Sequence, residues 1–199
     1  MGPLPSPEPH LHEREVDILL DIVESTIVGA LLGDGPSLPN LEALPEGLRT
    51  RTGVFVTLTV AGDLNGCIGT IEPEDPIGLS APRFALSAAF ADPRLPTLRP
   101  ADLAELHIEI SLLSALSPIE AGSREALLAA LRPGLDGAVV SAGGRRGLFL
   151  PSDWEQIPDP HEFVDQLWRK AGFHPDAWPR GLTTHRFTTR KHARSPGKS

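Results

Sequence analysis

Gly53-Val54-Phe55-Val56-Thr57-Leu58-Thr59-Val60, followed by Ala61-Gly62-Asp63 and then by Leu64-Asn65-Gly66-Cys67-Ile68-Gly69-Thr70-Ile71, is the stretch on which the fold turns. The first run is β-branched and alternates, the middle has turn chemistry, and the second run completes a β-hairpin with Cys67 on its second strand. Side chains alternate across a strand, so Cys67 shares a face with Asn65 and Gly69, and Leu64, Gly66, Ile68 and Thr70 share the other. Leu64 and Ile68 are therefore expected on the core side. Cys67 is expected to point the opposite way, toward a second layer or a cleft.

Cys67 is the only cysteine, so it forms no intramolecular disulfide. Gly66 and Gly69 let another backbone or a ligand come close to it, because neither carries a side chain. Such a setting suits a nucleophile. It equally suits a small buried apolar residue, which is the commoner fate of a free cysteine.

Upstream of the hairpin, Leu11, Glu15, Ile18, Leu19, Ile22, Ile27 and Leu31 recur at helical spacing until Gly33, and predict a helix of about five turns. Residues 1–10 are proline-rich and read as a mobile leader. The stretch from Gly33 to Thr50 reads as a loop. Downstream, Pro76 opens a helix through Phe90 with Pro82 inside it, and Asp92-Pro93-Arg94 ends it. A short acidic helix over Ala101 to Leu106 leads into a strand from His107 to Leu113, with His107 and Glu109 on one face and Ile108 and Ile110 on the other.

In the second half, Ser123 N-caps a helix to Leu131. Leu135 to Ala142 and Gly147 to Leu150 form a second hairpin around Gly143-Gly144. Pro160 to Gly172 is a helix ending at glycine. Thr183 to Thr189 is the last strand, and the basic residues beyond it read as a solvated polar tail, 191–199. Helices alternating with antiparallel hairpins indicate an α+β protein.

At 199 residues the chain can bury a core without disulfide or metal. It is 40% hydrophobic and 22% charged with a formal net charge of −8, which argues against nucleic acid as a primary partner. No apolar run approaches the roughly 20 residues that span a bilayer. The absence of a visible secretory signal and the single cysteine point to a cytoplasmic location. The seven histidines show no HxxxH pattern, so no metal site is expected. Gly143-Gly144-Arg145-Arg146-Gly147 lacks the lysine and the strand-to-helix setting of a P-loop and reads as a tight turn with exposed arginines. Trp154, Trp168 and Trp178 read as packing residues.

Several spaced motifs resemble one family. They are Gly53 to Leu58, Leu64 to Pro73, Ala88-Ala89-Phe90-Ala91-Asp92-Pro93-Arg94, Leu106 to Pro118, Gly144 to Pro151 and Lys170-Ala171-Gly172. In this order they resemble the AmmeMemoRadiSam system protein A family, also called the AMMECR-one domain family, over roughly residues 12–190. The resemblance implies an α+β protein of two lobes, with antiparallel or mixed sheets flanked by helices. It places a larger lobe built from both chain ends and a smaller inserted lobe in a single domain over 11–190. It also implies a Memo-type or radical-SAM protein as partner. It assigns no reaction, substrate or cofactor. The family pattern has arginine where this chain has Asn65, and phenylalanine where it has Leu95, so any positive charge supplied by that arginine is missing here.

A thiolate nucleophile needs a positive or dipolar neighbour and a general base. The candidate catalytic set is Cys67 with Arg94, His107 and Glu109, and His185 is a further possible base. Asn65, Gly66, Gly69, Glu72 and Asp92 are the candidate substrate-binding residues. Each acidic residue also has a plain structural role open to it: Glu72 and Asp92 as turn caps, Glu109 as the partner of an arginine across the sheet. Two functions follow as expectations. One is an enzyme using Cys67 on a small-molecule or nucleotide-related substrate. The other is a non-catalytic binding or adaptor module acting with the implied partner.

Overall fold

The computed structural model describes residues 11–33 and 35–195. The proposed mobile leader 1–10 and the last four residues of the proposed tail lie outside the described residues. The architecture is α+β, with four α-helices and two four-stranded antiparallel sheets among the described residues. The described chain divides into two compact units, residues 11–113 with 190–195, and residues 114–189.

In the first unit the sheet has the order β2-β1-β3-β8, built from β1 (Val54–Val60), β2 (Asp63–Thr70), β3 (Leu106–Leu113) and β8 (Thr189–Arg194). Helices α1 (Glu13–Leu32) and α2 (Ile77–Phe90) cover one face. The α1 stripe Val16, Leu19, Leu20, Val23 and Ile27 is buried, as are Val54, Val56 and Leu58 of β1 and Ile108, Ile110 and Leu112 of β3. Full burial of each such aliphatic side chain contributes about 1.5–3 kcal/mol. Gly33, with φ 92°, terminates α1 in the left-handed conformation that favours glycine.

Residues 189–194 correct the expected solvated tail. They form edge strand β8, and Arg194 reaches α1, pairing with Asp21 and lying 3.5 Å from Asp17 and 3.8 Å from Glu24. A basic, polar run carries no hydrophobic signal, so its pairing depends on the acidic residues of a helix more than 160 positions earlier.

The second correction concerns Leu64. The register of β1 and β2 runs regularly from Val54↔Thr70 to Leu58↔Gly66 and then shifts to Thr59↔Leu64, leaving Asn65 as the extra residue of a β-bulge. The bulge breaks the alternation expected from the sequence. Leu64 lies opposite Thr59, on the face of Cys67, and is 48% exposed instead of buried in the core. Ile68 does pack on the core, as expected.

The unit 114–189 has a sheet of order β4-β7-β5-β6, from β4 (Ser117–Pro118), β5 (Gly137–Ala142), β6 (Arg145–Phe149) and β7 (Thr183–Phe187). Gly143 and Gly144 both have positive φ, which the two-residue turn joining β5 to β6 demands. Helices α3 (Arg124–Ala130) and α4 (Pro160–Lys170) enclose a core centred on Trp168, Phe163, Leu167 and Val164. Ser123 and Asp159 cap these helices through Ala126 N–H and Glu162 N–H. Trp154 stacks on Phe163 with ring centroids 3.7 Å apart, so the tryptophans serve packing as expected.

Candidate functional site

Cys67 sits on β2, an edge strand, directly opposite Thr57 of β1. Thr57 in turn faces Glu109 of β3, so Cys67, Thr57 and Glu109 form a polar row on the sheet face that the helices do not cover. The thiol is partly exposed, and the Thr57 hydroxyl donates to Cys67 Sγ at 3.4 Å.

Being on an edge strand, β2 has main-chain groups with no neighbouring strand on one side. The segment after α2 supplies the missing partner for Cys67. Asp92 Oδ2 accepts from Cys67 N–H at 3.2 Å, and Arg94 Nη2 donates to the Cys67 carbonyl at 2.9 Å. The two side chains are also joined to each other. Arg94 Nε donates to Asp92 Oδ1 at 2.8 Å and Arg94 Nη2 to Asp92 Oδ2 at 2.7 Å, while Asp92 Oδ1 also accepts from Arg94 N–H. The pair therefore reproduces, with side chains, the donor and acceptor that an adjacent strand would offer.

Asp92 is buried, with its side chain 1% exposed, whereas that of Arg94 is 63% exposed. Hydrogen bonds from Arg94 hold the Asp92 carboxyl well below the usual carboxylate range and outweigh the opposing effect of burial. Asp92→Ala removes the acceptor of Cys67 N–H and is expected to destabilise the first unit by about 2–3 kcal/mol. The cost falls short of a fully buried ion pair because the exposed guanidinium regains water. Asp92→Asn adds a pH signature. A depressed carboxyl contributes stability above its unfolded value near pH 4 and loses it as the pH falls through the folded value. The stability gap between the parent and Asp92→Asn should thus be constant from about pH 5 upward and shrink below about pH 4. Urea unfolding across that range measures it, and a gap independent of pH would refute the carboxylate's role.

Both glycines of the motif have packing reasons. A Cβ on Gly66 would lie 2.1 Å from the Ala88 carbonyl oxygen of α2, so the glycine lets the helix backbone sit on the strand. A Cβ on Gly69 would meet Val54 O at 2.2 Å and the Phe55 ring at 2.6 Å.

The remaining sequence candidates are dispersed. Glu109 pairs with Lys191 of β8 at 3.2 Å, so its cross-sheet partner is a lysine. His107, on the same face, has Nδ1 3.1 Å from Ser195 Oγ. Glu72 lies past the end of β2, where its N–H donates to Thr70 Oγ1 at 3.1 Å. His185 is on β7 of the other unit. Asn65 is buried, and its Nδ2 donates to the Pro96 carbonyl at 3.2 Å. The structure thus joins Cys67, Asp92 and Arg94 through the Cys67 main chain, with neither His107 nor Glu109 hydrogen-bonded to the thiol. Cavities of about 360 Å³ and about 330 Å³ flank the start and the end of β2, and Cys67 lines neither. No group of three or more His, Cys, Asp or Glu side chains suited to a metal ion occurs among the described residues, and none of the described helices is long and apolar enough to cross a membrane.

Sequence reasoning missed a charged cluster in the unit 114–189. Asp136 is 0% exposed and accepts from Arg132 N–H at 3.0 Å, from Nε at 3.1 Å and from Nη2 at 2.6 Å, with Arg186 Nη1 4.0 Å away. The spacing of Arg132 and Asp136 was the one local signal.

Known proteins resemble this chain in sequence or in fold. A protein of Methanothermobacter thermautotrophicus is 40% identical over 138 residues, covering 68% of this chain and 71% of the relative. A protein of Methanosarcina acetivorans is 34% identical over 181 residues, covering 89% and 90%. The crystal structure of an uncharacterized protein from Pyrococcus horikoshii superposes with a TM-score of 0.81 at 27% identity, covering 92% of this chain and 93% of that one. Residues 20–192 match the AMMECR1 family, and the chain belongs to that family.

Proposed function

We propose that this AMMECR1 protein is a non-catalytic binding module of the AmmeMemoRadiSam system protein A type, which acts with a Memo-type or radical-SAM protein. The observation that carries this reading is the commitment of Asp92 and Arg94 to the Cys67 main chain. A thiol nucleophile is activated by a cation or a base directed at its sulfur. Here the Arg94 guanidinium donates to the Cys67 carbonyl, and the hydroxyl of Thr57 is what donates to the sulfur. Arg94, 63% exposed on the outer side of β2, is available to a docking partner while it holds the strand.

Surface-immobilised protein titrated with a purified Memo-type protein, and separately with a radical-SAM protein, tests the reading. Saturable binding to at least one is expected, unchanged by Cys67→Ser and weakened about tenfold or more by Arg94→Ala. Absence of binding to both, or loss of binding in Cys67→Ser, overturns it.

A second reading, with Cys67 as a nucleophile on a small-molecule or nucleotide-related substrate, is favoured by the partial exposure of the thiol. It requires the isolated protein to form a covalent adduct that Cys67→Ser abolishes, which intact-mass spectrometry detects.

A further inference from the structure

In the unit 114–189, the β5–β6 turn and the residues between α4 and β7 border a cavity of about 400 Å³. Arg145, the first residue of β6, and Arg180 both line it, and among the described residues no Asp or Glu does. Acidic residues outnumber basic ones in this chain by 26 to 18, and Arg83, Arg94, Arg99, Arg124, Arg132 and Arg194 each pair with an aspartate. Arg145 and Arg180 have no carboxylate partner among the described residues. Two guanidinium groups therefore meet one cavity with their charge unneutralised.

The walls are tied to the fold. Arg145 Nη1 donates to the Gly172 carbonyl at 2.7 Å, which holds the side chain at the end of α4 and leaves its other N–H groups without an acceptor among the described residues. Trp168 Nε1 donates to the Ala177 carbonyl at 2.9 Å and Leu182 N–H to the Pro179 carbonyl at 3.1 Å, so the loop after α4 is fastened at two points. His174, also in the lining, accepts at Nδ1 from Asp176 N–H at 3.3 Å, which leaves the proton of its neutral ring on Nε2 as a donor. The Asp176 carboxylate lines no part of the cavity. Phe173, Ala177 and Pro179 supply apolar surface. The cavity thus combines two cations, a neutral donor and an apolar wall.

We propose that this cavity binds an organic phosphate monoester, whose dianionic head lies toward Arg145 and Arg180 and whose apolar group rests on Phe173 and Pro179. Guanidinium groups present paired N–H donors that suit phosphate oxygens, and a dianion matches two cations where a single carboxylate would leave one unmatched. The site uses none of the residues that clamp Cys67. The inference is independent of the partner reading above and stands or falls without it.

The test titrates the full isotope-labelled chain with phenyl phosphate at neutral pH and constant ionic strength, following the backbone amides of Gly143, Phe173 and His174 by NMR. A saturable shift is expected, with Kd on the order of 1 mM for so few atoms. Arg145→Gln and Arg180→Gln should each weaken binding about threefold to tenfold, because each removes a charge-assisted contact at a partly open site. Arg169→Gln removes an exposed charge of α4 that lines no part of the cavity, and should change Kd by less than about 1.5-fold. Inorganic phosphate lacks the apolar group and should bind at least about threefold more weakly. Phenol lacks the charge and should bind at least about tenfold more weakly. No saturable shift up to about 20 mM phenyl phosphate, equal binding of phenol or of inorganic phosphate, or equal losses in Arg169→Gln and Arg180→Gln overturns the proposal. Should Arg145→Gln disturb the loop by losing the Gly172 contact, Arg180→Gln decides the matter, since Arg180 makes no hydrogen bond among the described residues.

Discussion

Asp136→Ala is expected to destabilise the unit 114–189 by about 2–3 kcal/mol, short of the loss for a fully buried ion pair because the Arg132 side chain is 47% exposed and regains water. Asp136 has no exposed surface, and its carboxylate is the acceptor for three groups of Arg132. Removing it leaves the Arg132 N–H without its acceptor and Arg132 and Arg186 without a nearby anion. The Trp154 indole N–H, which donates to the Asp136 carbonyl at 2.8 Å, keeps its acceptor, so packing of the Trp154–Phe163 stack should persist where the variant folds. Calorimetry should show a transition lowered by roughly 10 °C or more. Asp136→Asn retains the shape and some acceptor capacity, and its loss should be smaller. Equal losses for the two variants would show that charge, and not shape or remaining acceptor capacity, is what matters there.

Gly66→Ala is expected to cost about 3 kcal/mol or more in the first unit, at the upper end of overpacking because the obstacle is backbone. The added methyl would stand 2.1 Å from the Ala88 carbonyl oxygen, 2.7 Å from its carbonyl carbon and 3.0 Å from its Cα. No rotamer relieves this; α2 must move off the sheet, taking with it the contacts of Ala81, Ala85, Ala88 and Ala89 with the core. Ala88→Gly should therefore not rescue Gly66→Ala, since it leaves the carbonyl in place. Urea unfolding of both single variants and the double variant measures this. Restoration by Ala88→Gly, or a loss below about 1 kcal/mol in Gly66→Ala, would show that helix and strand are less tightly apposed than the geometry requires.

The candidate site was legible in part. The glycines around Cys67 suggested a close approach, and at Gly66 the approaching group is the backbone of α2. Asp92 and Arg94 were both singled out, Arg94 as a helper to the thiol and Asp92 as a binding residue or turn cap. Their target was not, because a hydrogen bond to the main chain of Cys67 leaves no trace in residue type at either end. Arg186, more than fifty positions after Arg132, joins the Asp136 cluster through sheet pairing alone.

The sequence by itself determined the local elements. The alternation of Val54 to Val60 made a strand, the helical spacing of apolar residues from Leu11 to Leu31 made a helix, Gly33 ended α1, and Gly143-Gly144 made a turn. These depend on backbone sterics and burial periodicity, which act over a few residues. Tertiary structure alone decided the rest: the bulge that turned Leu64 outward and Asn65 inward, the pairing of β8 with the sheet, and the clamp on the Cys67 main chain. Each depends on which groups are left unpaired once the sheet is assembled. An unpaired edge or a buried amide exists only after distant segments have met, so local propensity does not encode it.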